Sequence, residues 1–372
     1  MSVKCKDIVR IIENLAPIYL AAEWDNSGLL IGDEEQQIKS VMVALDINKD
    51  VLDEAYKLGC DMIITHHPVI FSTLKSLNSN NFKEKIIRDI VSKNISVYSA
   101  HTSLDAADGG TNDLLADILK MKNVEVLDKT EEEKLYKVSV FVPKGYQEKV
   151  REAIISSGAG HIGNYSGCTF NTNGIGTFLP LEGSKPFIGE MGILEKVDEI
   201  KIETIATAAN LENVINSILK AHPYEEPAYD IYPLYNKGRK YGFGRVGILD
   251  NPVTLKELCQ KLKEVLKTDN LRAVGNLDAI VKKAALCSGS GADLLEKSYN
   301  LGCDVYITGD VKYHDACDAR DMGMALIDAG HFATENIYMP QLMNYLNDEF
   351  TARTMNVKLY ISNANKDPFS KV

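Results

Sequence analysis

The chain has 372 residues, of which 45% are hydrophobic and 25% charged, and its formal net charge is −11. That length exceeds one ordinary core and suits two or three domains, and the composition excludes a disordered or low-complexity scaffold. The acidic balance argues against sequence-independent nucleic-acid binding, which needs a basic face to release phosphate counterions, but leaves a nucleotide open as a small substrate. No apolar run approaches the roughly 20 residues of a membrane span, and the first residues lead into a charged amphipathic helix rather than an apolar signal core. The seven cysteines, without a CxxC, fit a reduced, cytoplasmic chain better than a disulfide framework or a thiolate zinc site.

In chain order, Glu23-Trp24-Asp25-Asn26-Ser27-Gly28 holds the only tryptophan and reads as a turn, the alternative being a stacking wall beside a substrate. Val41 to Leu45 is short, apolar and β-branched, as a buried strand is. Asp50 to Leu58 has helical spacing closed by Gly59, and strands follow at Met62-Ile63-Ile64 and Ile95 to Tyr98. Short apolar strands separated by helices predict a layered α/β unit with a largely parallel sheet.

From about residue 128 to 240 the character changes. Lys134 to Val142 alternates polar and apolar, and the sequence continues with helix, strand, strand, helix and strand. This β-α-β-β-α-β order predicts a ferredoxin-like sandwich inserted into the α/β unit. Beyond about residue 241 the first plan returns. Tyr56-Lys57-Leu58-Gly59-Cys60-Asp61-Met62-Ile63-Ile64-Thr65 aligns with Tyr299-Asn300-Leu301-Gly302-Cys303-Asp304-Val305-Tyr306-Ile307-Thr308, with Tyr, Leu-Gly-Cys-Asp, Ile and Thr shared. The expected fold is therefore two related α/β halves, 1–127 and 241–372, that share one sheet or pack together, interrupted by the insert 128–240.

Ligands of open parallel sheets bind beyond the carboxyl ends of the strands. Five of the seven histidines fall at such ends: His66 and His67, His101, His314 and His331. Asp105 follows His101, and Glu335 stands four residues after His331, on the same side of a helical turn. His66, His67, Asp105, His331 and Glu335 form a ligand set too large for one catalytic zinc and too small to saturate two ions. Two divalent ions sharing it would keep open positions and remain positively charged, acidifying water and polarising substrate oxygens. Nitrogen and oxygen donors suit zinc, iron or manganese. His101, Asp310 and His314 are expected to orient imidazoles or move protons, or simply to make structural hydrogen bonds. His222, before Pro223, reads as part of a rigid loop, and no P-loop pattern is present.

Taken in order, Trp24-Asp25-Asn26-x-Gly28-Leu29, Thr65-His66-His67-Pro68, His101-Thr102-x-Leu104-Asp105, Gly309-Asp310 with His314, and Asp328-Ala329-Gly330-His331 with Thr334-Glu335 resemble the NIF-three-like dinuclear metal-centre family, many of whose members bear the name type-two GTP cyclohydrolase homologue. Gly160-His161-Ile162-Gly163 and Pro223-Tyr224-Glu225-Glu226-Pro227 resemble the PII/CutA-like insert of its longer form. The resemblance implies two metal ions held by the same five residues, and a ring-shaped homohexamer. Ser103 stands where relatives often carry Asn, which is expected to tune the pocket. Two functions compete. One is a metal-dependent hydrolase that cleaves a C–N or phosphoester bond in a small substrate such as a nucleotide, with His101 or His314 as proton shuttle. The other is a non-catalytic regulatory or interaction protein that uses the PII-like insert.

Overall fold

Three runs of consecutive buried residues, Ser40–Ala44, Met62–Thr65 and Ser96–Ser99, set up the first sheet. Strands covered on both faces read as unbroken apolar sequence, which is why periodicity disappears from them. The computed structural model describes residues 2–78 and 80–370. It shows a mixed α/β chain in two compact units: Met1–Glu131 together with Tyr241–Val372, and Glu132–Lys240. Among the described residues, no helix is long and apolar enough to cross a membrane.

The first unit holds two separate sheets of closely similar construction. In one, the strand order is Gly28–Ile31, Ser96–Ser99, Met62–Thr65, Ser40–Ala44 and Lys358–Ile361. In the other it is Arg272–Val274, Ala325–Asp328, Val305–Gly309, Ile280–Ser290, Lys240–Thr254 and Met121–Glu132. The register repeats as well: Val41, Met62 and Ser96 stand side by side in the first, and Ala284, Val305 and Ala325 in the second. Each sheet carries one antiparallel edge strand at the matching place, 28–31 against 96–99 and 272–274 against 325–328.

The shared Leu-Gly-Cys-Asp sequence has the same physical task in both sheets. Gly59 (φ 68°) and Gly302 (φ 69°) take the left-handed conformation that ends the preceding helix. The next amide then turns back onto the last helical turn, from Cys60 to Ala55 at 2.9 Å and from Cys303 to Ser298 at 3.2 Å. The Asp carboxylate accepts two successive amides of the neighbouring segment: Asp61 from Lys39 and Ser40, Asp304 from Lys282 and Lys283.

The outer strands are exchanged. Lys358–Ile361, the last strand of the chain, runs parallel to Ser40–Ala44 in the first sheet, whereas Met121–Glu132 leaves the first half to border the second sheet. Helix Met339–Ala352 likewise buries Leu342, Leu346 and Phe350 in the core that holds Val41, Val43, Met62 and Ile64. At about 1.5–3 kcal/mol per fully buried apolar side chain, this core ties the two ends of the chain firmly together. Arg245 adds a polar clamp. Only 2% exposed, it binds both carboxylate oxygens of Asp113 at 2.5 and 2.9 Å and donates to the carbonyls of Ala107, Gly242 and Gly244.

The second unit contains Leu135–Pro143, helix Gln147–Ser156, Thr169–Phe178, Glu195–Thr207, helix Leu211–Ala221 and Tyr229–Pro233. Its four strands form one antiparallel sheet in the order 169–178, 195–207, 135–143, 229–233. Val138, Val140 and Val142 alternate onto the face covered by Val150, Ile154, Val214 and Ile218 of the two helices.

Candidate metal centre

The site forms where the carboxyl ends of the two sheets supply side chains to one point. His66 and His67 follow Met62–Thr65, and His101 follows Ser96–Ser99 as the residue before the short helix Thr102–Ala106, which carries Asp105. From the second sheet, Ala325–Asp328 ends at Gly330. That glycine's φ of 86° turns the chain into helix His331–Asn336, so that His331 and Glu335 lie one turn apart.

Each of four imidazoles is oriented through its Nδ1. His66 Nδ1 meets the Ala100 carbonyl at 2.8 Å, His67 Nδ1 meets Asp46 at 2.8 Å, His101 Nδ1 meets Asp25 at 2.7 Å, and His331 Nδ1 meets Asp310 at 2.7 Å. All four partners are acceptors, so each Nδ1 carries the hydrogen and each neutral ring presents a bare Nε2 lone pair. This is how proteins prepare imidazoles as metal ligands. Asp310 does so from φ 54°, a left-handed conformation uncommon for a residue with a side chain.

The Nε2 atoms meet Glu335. Its Oε2 lies 3.0 Å from both His67 Nε2 and His331 Nε2, and its Oε1 lies 3.5 Å from His66 Nε2. Asp105 Oδ2 lies 3.6 Å from His66 Nε2, and the other Asp105 oxygen is held by Thr111 at 2.5 Å. His67 Nε2 and His331 Nε2 are 3.2 Å apart. Although these contacts are close, His66 Nε2 and Glu335 Oε2 are buried without a correctly aligned hydrogen bond. Two donor atoms about 2.1 Å from one ion at a tetrahedral angle stand about 3.4 Å apart, the spacing seen here. His67, His331 and Glu335, and separately His66, His67 and His101, form groups that could hold a metal ion.

Protonation reports the same concentration of charge. Burial disfavours the charged form of His67, but Asp46 and Glu335 outweigh it and push its pKa up to about 10. Burial likewise opposes the charge on His331, yet Glu335 and Asp310 raise it to about 9. His66 is raised by Asp105 and Glu335 against complete burial. Burial would lift the Glu335 carboxyl, but the three histidines hold it well below the usual range. Without another cation, protons must neutralise this cluster.

The backbone leaves room for the carboxylate at one glycine. Gly289 has φ 64°, and a Cβ there would stand 2.0 Å from Glu335 Oε1 and 3.5 Å from His331 Nε2. Two cavities share His67 and His331, one of about 690 Å³ lined by Trp24, Phe71, His101, Asp105 and Glu335, the other of about 950 Å³ lined by Asp46, Arg272 and Asp310.

The structure thus brings His66, His67, Asp105, His331 and Glu335 together, with His101 at the cavity wall and Asp310 behind His331. His314 lies elsewhere, exposed in the first turn of helix Tyr313–Asp321 with its ring against Tyr313, and lines neither cavity. His222 accepts the Tyr224 amide on Nδ1 and reaches the Phe141 carbonyl through Nε2, a structural pairing. Sequence reasoning missed Asp46 and Gly289 and read Asp25 only as a turn. The available signal was position, since Asp46 stands immediately beyond Val41 to Leu45, where ligand-facing groups belong.

The model of the Duf34/NIF3 family (NGG1p interacting factor 3) matches residues 3–368. A Bacillus subtilis protein named GTP cyclohydrolase 1 type 2 homolog is 43% identical over 369 residues, 99% of either chain. One of the same name from Halalkalibacterium halodurans is 42% identical over 363 residues, 98% of this chain and 97% of its own. The crystal structure of a Bacillus cereus protein related to NIF3 superposes with a TM-score of 0.93 at 41% identity, over all of both chains. That of a Staphylococcus aureus protein gives 0.75 at 30% identity, over 100% of this chain and 99% of its own.

Proposed function

The chain belongs to the Duf34/NIF3 family, and on that premise we propose that it is a metal-dependent hydrolase with a dinuclear centre. The observation that carries this reading is the convergence of bare Nε2 atoms on a buried carboxylate at the wall of a cavity. His67, His331 and Glu335 Oε2 would hold one ion, and His66, Asp105 and Glu335 Oε1 the other. Zinc, iron and manganese all suit these donors. When bound, such ions supply Lewis acidity to a water molecule and to substrate oxygens.

The chain's own residues would do the rest. Asp46 and Asp310 fix the tautomers of His67 and His331, and Thr111 fixes Asp105. Asp25, hydrogen-bonded by His101, Ser27 and Thr102, holds His101 with its Nε2 free to take or return a proton during hydrolysis of a C–N or phosphoester bond. The relatives' name makes a small substrate such as a nucleotide the first to test. Metal-loaded protein assayed against nucleotides and phosphoesters, with His67→Ala as blank, should show turnover that the variant loses. No turnover on any of them overturns the hydrolase reading.

We further propose that segment 128–240 is a ferredoxin-like, PII/CutA-like insert between α/β segments 1–127 and 241–372. Its β-α-β-β-α-β order and its antiparallel sheet support this reading. An isolated segment that fails to unfold cooperatively would argue against it. From the family resemblance we also propose a homohexamer, which light scattering would test as six chain masses.

A further inference from the structure

The cavity of about 690 Å³ beside the metal cluster has an aromatic wall that the hydrolase reading leaves unused. Trp24 is 64% exposed and Phe71 55% exposed, their ring centroids stand 6.1 Å apart, and each meets the His101 ring nearly edge-on at 6.1 and 6.3 Å. Both sit on anchored loops. The Asp25 side chain, beside Trp24, is fully buried and engaged with His101, Ser27 and Thr102. Asn26 reaches across to donate to the Ile70 carbonyl at 2.5 Å, joining the Trp24 loop to the Phe71 loop. The two rings, tilted 59° to each other at the mouth of a cavity, form a corner in which a flat ligand can stack on one ring and meet the other with its edge.

The charges in the cavity restrict that ligand. Four carboxylates line it, those of Asp105, Asp128, Asp293 and Glu335, and among the described residues no lysine or arginine does. Lys297, which reaches Asp128 at 2.5 Å, is neutralised there. In the larger cavity, Arg272 is the only lysine or arginine among the described lining, and it is ion-paired with Asp328. With Asp128 taken by Lys297, two divalent ions against the other three carboxylates would leave a single positive charge, too little to balance a polyphosphate.

Building on the hydrolase reading, we infer that the substrate of this site is a planar heterocycle of the nucleobase or nucleoside class, stacked on one ring of the Trp24–Phe71 pair with the other at its edge, and not a nucleoside triphosphate. The aromatic pair selects the ring, and among the described lining residues no unpaired lysine or arginine is offered to a phosphate tail.

Because Trp24 is the only tryptophan, its fluorescence reports binding without any turnover. Guanosine, GTP and inorganic phosphate would be titrated separately into the full-length, chelator-treated chain. Guanosine should quench the emission saturably, GTP should bind at least about ten-fold more weakly, and phosphate should leave the emission unchanged. Phe71→Ala, at an exposed position, should weaken guanosine by about 5- to 150-fold, the range of one lost stacking contact, with an unchanged circular dichroism spectrum. The inference is overturned if guanosine does not quench, if GTP binds as tightly, or if Phe71→Ala has no effect. A chain that binds guanosine but hydrolyses nothing contradicts only the hydrolase reading, and one that hydrolyses a phosphoester while ignoring guanosine contradicts only this inference.

Discussion

His67 and His331, 264 residues apart in the chain, point their Nε2 atoms at each other across 3.2 Å. Because Asp46 and Asp310 occupy the opposite nitrogens, two neutral rings would set lone pair against lone pair. Such a contact persists only with something positive between or upon the two atoms: a proton, or a metal ion ligated by both. It also makes the site a seam between the two sheets, since each contributes one of the rings.

Protons and metal should therefore compete. His67 and His331 have folded pKa values of about 10 and about 9, above the unfolded 6.5, so in the metal-free chain their contribution to stability is complete below about pH 6.5 and is lost as pH rises through 9 to 10. Glu335, depressed, contributes above its ordinary value near 4.5 and loses that contribution as pH falls. Zinc binding at pH 7 should release at least about one proton per chain and should tighten as pH rises. Calorimetry in two buffers of different ionisation enthalpy would measure it; identical apparent enthalpies would contradict the proton count.

Asp46→Asn and Asp310→Asn leave every proposed ligand in place and remove only the carboxylates that orient His67 and His331. Each should weaken metal binding by about 10- to 100-fold, as measured by competition with a chromogenic chelator. Unchanged affinity in both would show that the imidazoles are positioned by packing alone.

Asp46 also shows where sequence reading stops. His66, His67, His101 and His331 stood out because histidine is rare and follows buried strands, and Glu335 because it repeats one helical turn after His331. An aspartate after a strand has no such mark among 52 acidic residues. His314 carried the same strand-end signal as the others, but the first turn of its helix directs it to solvent. The parallel strands were legible as apolar runs. Their division into two sheets was not, because the exchange of 121–132 and 358–361 depends on long-range pairing that period and composition do not encode.

Gly289→Ala should separate site geometry from stability. Its Cβ would collide with Glu335 Oε1 at 2.0 Å, whereas a Cβ at Gly302, with φ of 69° against 64°, meets nothing within 4 Å. Both alanines carry a backbone penalty of about 1–2 kcal/mol, but only Gly289→Ala should lose metal. Equal metal retention in the two would mean that Glu335 has room to move.

Arg245→Met should destabilise the first unit by about 3–5 kcal/mol, because it takes the guanidinium from Asp113, which keeps the Gly109 amide, and from the carbonyls of Ala107, Gly242 and Gly244. Urea unfolding followed by circular dichroism would show it. A change below about 1 kcal/mol would indicate that water replaces the guanidinium.

The central claim is that one buried carboxylate joins two ion positions. It is tested most directly by elemental analysis of tag-free protein loaded with zinc and freed of loose metal, beside Glu335→Gln prepared in the same way. The account predicts about two ions per chain in the native sequence and about one or fewer in the variant, since Oε1 and Oε2 face different histidines. A native chain that binds no divalent metal, or a Glu335→Gln chain that keeps both ions, would contradict it.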